Sequence, residues 1–131
     1  MYERVGGEGF FRRLVEVFYD GVAGDTALAV LYPEAPDFSG ASHRLTLFLI
    51  QFWGGPATYN EERGQPRLRL RHFPFPIGPT ERDRWLTHMQ AAVDLVTADL
   101  DDGHEIGAEL MAYFGPAANQ LRNDVMTIKN L

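Results

Sequence analysis

The chain has 131 residues, 45% hydrophobic and 23% charged, the balance of an ordinary globular domain with a sizeable core. Its formal charge of −6 argues against nucleic acid or an anionic membrane surface as partner, since both call for basic patches. The absence of cysteine excludes disulfides, thiolate metal sites, iron–sulfur clusters and cysteine nucleophiles.

No apolar run approaches the roughly 18–20 residues of a membrane span, and the segment from Met1 to Gly7 lacks the apolar stretch of a signal peptide. The expectation is a cytoplasmic protein with one domain over residues 1–131. Its core spans about 5–122, and a weakly patterned tail covers 123–131. Over residues 8–23, Phe11, Leu14, Val15, Phe18 and Val22 repeat at helical spacing. Residues 26–31 suit a helical turn or two, and Pro33 and Pro36 break the chain after it. A second long helix is predicted from an N-cap at Ser39, with Leu45, Phe48, Leu49 and Phe52 on one face. Trp53-Gly54-Gly55-Pro56 ends it.

Residues 57–79 hold Pro66, Pro74, Pro76 and Pro79 and four arginines, with no long apolar period. The stretch is too long for a casual loop, which hints at function. A short helix over 67–72 is possible there, entered through Pro66. A third long helix is predicted with Thr80 as cap and Asp83 completing a capping box, and with Trp85, Met89, Ala92, Val93 and Val96 on one face. After a turn at 99–103, a fourth helix starts near His104. Gly115-Pro116 in its middle predicts a kink or a restart. The alternating run 66–72 is the only strand-like segment and has no partner run, so the fold class is all-α.

The usual catalytic sets lack support. His43, His72, His88 and His104 make no His-x-x-x-His pair, a single lysine stands in no P-loop, and Ser39 and Ser42 lie in no nucleophile elbow. On residues alone, His72 reads first as a surface histidine in an arginine-rich, proline-broken segment. Tyr32 and Trp85 read first as core aromatics.

Two segments change that balance. Phe48-Leu49-Ile50-Gln51-Phe52-Trp53-Gly54-Gly55-Pro56-Ala57-Thr58-Tyr59 resembles the end of the distal helix of truncated haemoglobins. The run from Arg63 to Ile77, with Arg71-His72-Phe73-Pro74-Phe75, resembles their proximal segment. With Glu81-Arg82-Asp83-Arg84-Trp85-Leu86, the chain resembles group II, the O-type, from Val5 to about Leu121. The resemblance implies a two-over-two helical sandwich around one haem b, with His72 as the protein ligand to iron. A haem-ligating histidine should donate its other ring N–H to a carbonyl about one turn earlier.

By the same resemblance Tyr19, Tyr32 and Trp85 form the distal side, each with a hydrogen-bond donor. Ala41 stands where many globins place a distal histidine or glutamine, so no donor comes from there. Helix faces then place Leu45, Phe48, Leu49, Met89 and Val93 against the porphyrin, with Leu68, Phe75 and Ile77 flanking it proximally. Arg44 and Arg71 are candidates for pairing with the propionates, set against solvated charges as the alternative. The resemblance implies binding of dioxygen and other small ligands, with redox chemistry on nitric oxide or peroxide rather than bulk transport. It leaves open a reductase as electron donor and a homo-oligomer as assembly. A haem-based sensor or partner-binding module is the alternative, disfavoured because no second domain is seen to receive a signal.

Overall fold

The computed structural model describes residues 1–123. The weakly patterned tail expected over 123–131 therefore lies, beyond Asn123, outside the described residues. Seven helices follow one another among the described residues: α1 (Glu8–Ala23), α2 (Thr26–Ala29), α3 (Ser39–Phe52), α4 (Thr58–Arg63), α5 (Leu68–His72), α6 (Pro79–Thr97) and α7 (Gly103–Gln120). No strand is present among them, and no helix is long and apolar enough to cross a membrane.

The apolar stripe of α1 decides the packing. Phe11, Leu14, Val15, Phe18 and Val22 are all fully buried, and α1 lies against both α3 and α6, while α6 in turn packs on α7. Leu49 and Ile50 of α3, Met89, Ala92 and Val93 of α6, and Ile106 and Leu110 of α7 close the same core. Each fully buried side chain of this size contributes about 1.5–3 kcal/mol. An aromatic seam joins three of these helices: Phe11 stacks on Trp53 at 5.8 Å, and Trp53 meets Phe114 edge-on at 5.7 Å.

Helix starts differ from expectation in instructive ways. Helix α3 begins at Ser39 itself, and the cap comes from two residues earlier, where the Asp37 carboxylate accepts the Ser39 N–H at 2.9 Å. Helix α6 starts one residue before the expected cap at Thr80. Gly78 holds the N-cap position, Pro79 fills the first turn where its missing N–H is no loss, and Glu81, not Asp83, accepts the Gly78 N–H at 2.8 Å. Helix α4 was not foreseen, because among Thr58–Arg63 only Tyr59 is buried and no period can show. Helix α7 does not restart at Gly115-Pro116 but continues to Gln120.

At Gly103 a close approach requires glycine. A methyl group on Gly103 would stand 2.1 Å from the Thr97 carbonyl oxygen, where the turn from α6 into α7 closes on itself. Gly103→Ala is expected to lower stability by about 1–3 kcal/mol, the range of a core overpacking, read as a lower midpoint in denaturant.

Candidate functional site

The proline-broken segment carries His72. Gly64 and Arg67 both take positive φ, at 74° and 45°, and turn the chain from α4 into α5. The Arg71 guanidinium holds that turn. Its Nε donates to the Pro66 carbonyl at 2.6 Å, and Nη2 donates to those of Arg63 and Gln65 at 2.8 and 3.3 Å. Farther on, Asn123 ties down the exit of the segment: its N–H donates to the Ile77 carbonyl and its side chain accepts the Ile77 N–H, both at 3.0 Å.

His72, at the end of α5, lines a cavity of about 450 Å³. Its Nδ1 lies 2.7 Å from the Leu68 carbonyl oxygen. A carbonyl only accepts, so Nδ1 carries the proton, and in the neutral ring Nε2 keeps the lone pair. The acceptor lies one turn earlier, the arrangement that orients a metal-ligating imidazole.

Another part of the wall comes from α1, the segment after α2, and α6. Tyr19, Tyr32 and Trp85 all line the cavity. The Tyr19 and Tyr32 rings meet edge-on at 5.5 Å, and Phe38 stacks on Tyr19 at 5.7 Å. The Tyr19 hydroxyl and the Trp85 side chain are each placed to donate to the Tyr32 oxygen, which favours the ionised form of Tyr32 and the protonated form of Tyr19. Two donors thus converge on one phenol, and the Tyr32 O–H is the proton left to point elsewhere.

Burial pushes both phenols well above the ordinary value of 10.0, and for Tyr32 the two donated hydrogen bonds offset part of that rise. Folded-state values raised above the unfolded ones stabilise fully below about pH 10, and that contribution is lost as pH rises beyond it. Alkaline titration by ultraviolet difference absorbance is expected to show these phenols ionising later in the folded protein than in denaturant.

Leu45, Phe48 and Leu49 of α3, together with Leu68, Phe75 and Ile77, line the cavity, and Ala41 lies on its wall. Met89 and Val93 do not. Both are fully buried in the core between helices, a turn or more along α6 from Trp85. Arg44 and Arg71 both reach the cavity, but each has a protein partner. Arg44 pairs with Glu34 at 3.0 Å, and Arg71 holds the α4–α5 turn instead of standing free for a propionate. Residues not singled out as site residues in the sequence also line the space, chiefly Tyr59, a strip of α7 comprising Tyr113, Phe114, Ala117 and Ala118, and Leu121 just past its end. Their helical spacing was legible, but nothing in it said which neighbour the face met. No group of three or more histidine, aspartate and glutamate side chains suited to a bare metal ion exists among the described residues. The one imidazole on the wall stands among largely apolar and aromatic residues, and the two carboxylates there, Glu34 and Glu81, are taken by Arg44 and the Gly78 N–H, which fits an iron carried in a macrocycle.

Comparison with known proteins agrees. A family model for bacterial-like globins matches residues 1–119. The crystal structure of a thermostable hemoglobin from the actinobacterium Thermobifida fusca superposes with a TM-score of 0.85 at 53% identity, over 94% of this chain and 96% of that one. The structure of a truncated oxygen-avid haemoglobin from Bacillus subtilis superposes with a TM-score of 0.81 at 35% identity, over 93% of this chain and 98% of that one. Group 2 truncated hemoglobin YjbI of Bacillus subtilis (strain 168) is 41% identical over 95 residues, covering 72% of this chain and 70% of the relative. The fold is thus the truncated globin fold, and the chain belongs to the group 2 truncated haemoglobin family of bacterial-like globins.

Proposed function

We propose that this chain holds haem b in the cavity with His72 as the protein ligand to iron, and that it binds dioxygen and other small diatomic ligands on the side of Tyr19, Tyr32 and Trp85. The observation that carries the reading is the His72 ring: Nδ1–H is committed to the Leu68 carbonyl, and the ring lines the cavity. Haem, when bound, supplies an iron centre that takes up small ligands and exchanges electrons.

The chain's own residues supply the rest. Leu45, Phe48 and Leu49 exclude water from the cavity wall, and Leu68, Phe75 and Ile77 do so beside His72. Tyr32 presents its remaining O–H to a partly negative ligand atom, and the Tyr19 O–H and Trp85 N–H, placed to donate to the Tyr32 oxygen, are donors that can turn to it. A hydrogen bond to a charged group is worth roughly 1.5–3 kcal/mol, which slows release by about tenfold or more. Ligand retention of that order suits redox turnover on nitric oxide or peroxide better than bulk transport, where release must be quick. The oxygen avidity of the Bacillus subtilis relative supports the same reading.

The deciding experiment is optical. The purified protein supplied with haem should show an intense Soret band that shifts when carbon monoxide is added to the reduced form. A colourless protein that takes up no haem would sink the proposal. Reaction of the oxygenated form with nitric oxide in stopped flow then separates turnover from storage.

A further inference from the structure

Outside the cavity, one carboxylate gathers donors from two elements. Asp25 stands at the N-cap of α2, and its side chain is 9% exposed. Its Oδ1 accepts the Ala27 N–H at 3.2 Å and Arg84 Nη1 at 3.1 Å, and its Oδ2 faces His88 Nε2 at 2.9 Å. A neutral His88 must carry its proton on Nε2 to make that contact.

Arg84 and His88 lie four residues apart on one face of α6, and Trp85 stands between them in the chain. From Asp25 the backbone runs to Tyr32 through consecutive short hydrogen bonds: Ala29 N–H to the Asp25 carbonyl at 2.8 Å, Leu31 N–H to Leu28 at 2.9 Å, and Tyr32 N–H to Ala29 at 3.1 Å. Leu28, Leu31 and Tyr32 line the cavity. The segment 25–32 is therefore fastened to α6 at one end, by Asp25 to Arg84 and His88, and its other end places Tyr32 on the cavity wall that Trp85 of α6 also lines. Helix α1 closes the arrangement. A methyl group on Gly21 would stand 2.6 Å from His88 Nδ1, so only glycine lets the imidazole lie where it reaches Asp25.

We infer that Asp25 is a positioning residue for the ligand side of the cavity: its carboxylate, gripped by Arg84 and His88, sets where Tyr32 stands on the wall it shares with Trp85. The inference rests on reading the cavity as a small-ligand site.

The test is a double-mutant cycle on the haem-loaded protein, with carbon monoxide as probe and its dissociation rate as readout. Asp25→Ala and Tyr32→Phe are each expected to speed release by roughly three- to tenfold, the loss when a hydrogen bond of ordinary net worth is loosened. The double variant is expected to release no faster than Tyr32→Phe alone, because Asp25 acts through Tyr32. A merely structural Asp25 would multiply the two effects, which overturns the inference. An unchanged rate in Asp25→Ala beside a faster one in Tyr32→Phe overturns it alone. A wild-type protein that takes up no carbon monoxide overturns the cavity reading and the inference with it.

A second readout is independent of ligand release. Trp85 gives one of only two indole N–H resonances, since the chain has 2 tryptophans, and its hydrogen exchange is expected to quicken in Asp25→Ala. Where that variant fails to fold, Gly21→Ala carries the test, because its added methyl displaces His88 while leaving the carboxylate intact. It is expected to move the same rate and the same resonance, and unchanged values overturn the inference.

Discussion

His72→Ala is expected to fold and yet to fail to retain haem, reading as a lost Soret band after gel filtration. Altering an outer partner of a metal ligand costs about 10–100-fold in affinity, and removing the ligand itself costs more. The fold should tolerate the change. His72 is only partly buried, sits at the end of a five-residue helix, and makes its one side-chain hydrogen bond to Leu68 within that helix. Circular dichroism of the haem-free variant is therefore expected to match the wild type, and added imidazole is expected to restore part of the band. Full haem retention by His72→Ala would assign the ligand elsewhere.

Trp85→Phe is expected to give the largest change in ligand release among the three polar aromatics, speeding oxygen dissociation by about tenfold or more, the equivalent of one charge-assisted hydrogen bond. The ring's packing survives the substitution in kind, since Phe18 at 5.0 Å and Phe114 at 5.7 Å still meet an aromatic face. What is lost is the N–H, and with it one of the two donors on the Tyr32 oxygen. Tyr32 is then free to reorient, so the effect exceeds that of one missing donor in the cavity. An unchanged off-rate would remove Trp85 from the ligand side altogether.

Most of the helical frame was legible in the sequence because long amphipathic helices announce themselves. The apolar positions of α1 are the ones found fully buried, and Trp53-Gly54-Gly55-Pro56 ends α3 as expected. Short elements were harder. The caps of α3 and α6 depend on Asp37 and Glu81 reaching particular backbone N–H groups, and several nearby polar residues are equally good candidates on paper. Helix α4 carries a single buried side chain and so leaves no periodic trace. Gly115-Pro116 predicts a kink or a restart, and α7 does not restart there but runs on to Gln120.

The candidate site divides the same way, and His72 shows where. Its place in the chain and the motif around it were readable, as was the demand that its second nitrogen find a carbonyl a turn earlier. Which carbonyl, and that Arg71 is occupied in holding the turn before it, came only from the folded segment. Met89 and Val93 sit on the same helix as Trp85 and share its apolar character, but face the core, because α6 has two packed sides and periodicity does not say which one meets the cavity. The convergence of Tyr19 and Trp85 on Tyr32 joins three positions far apart in sequence. Sequence by itself determined the class of fold, the excluded chemistries and the residues worth watching, since these follow from local period and residue type. Tertiary structure alone decided which of those residues touch, because hydrogen bonds and cavity walls are made between elements whose relative placement no local pattern encodes.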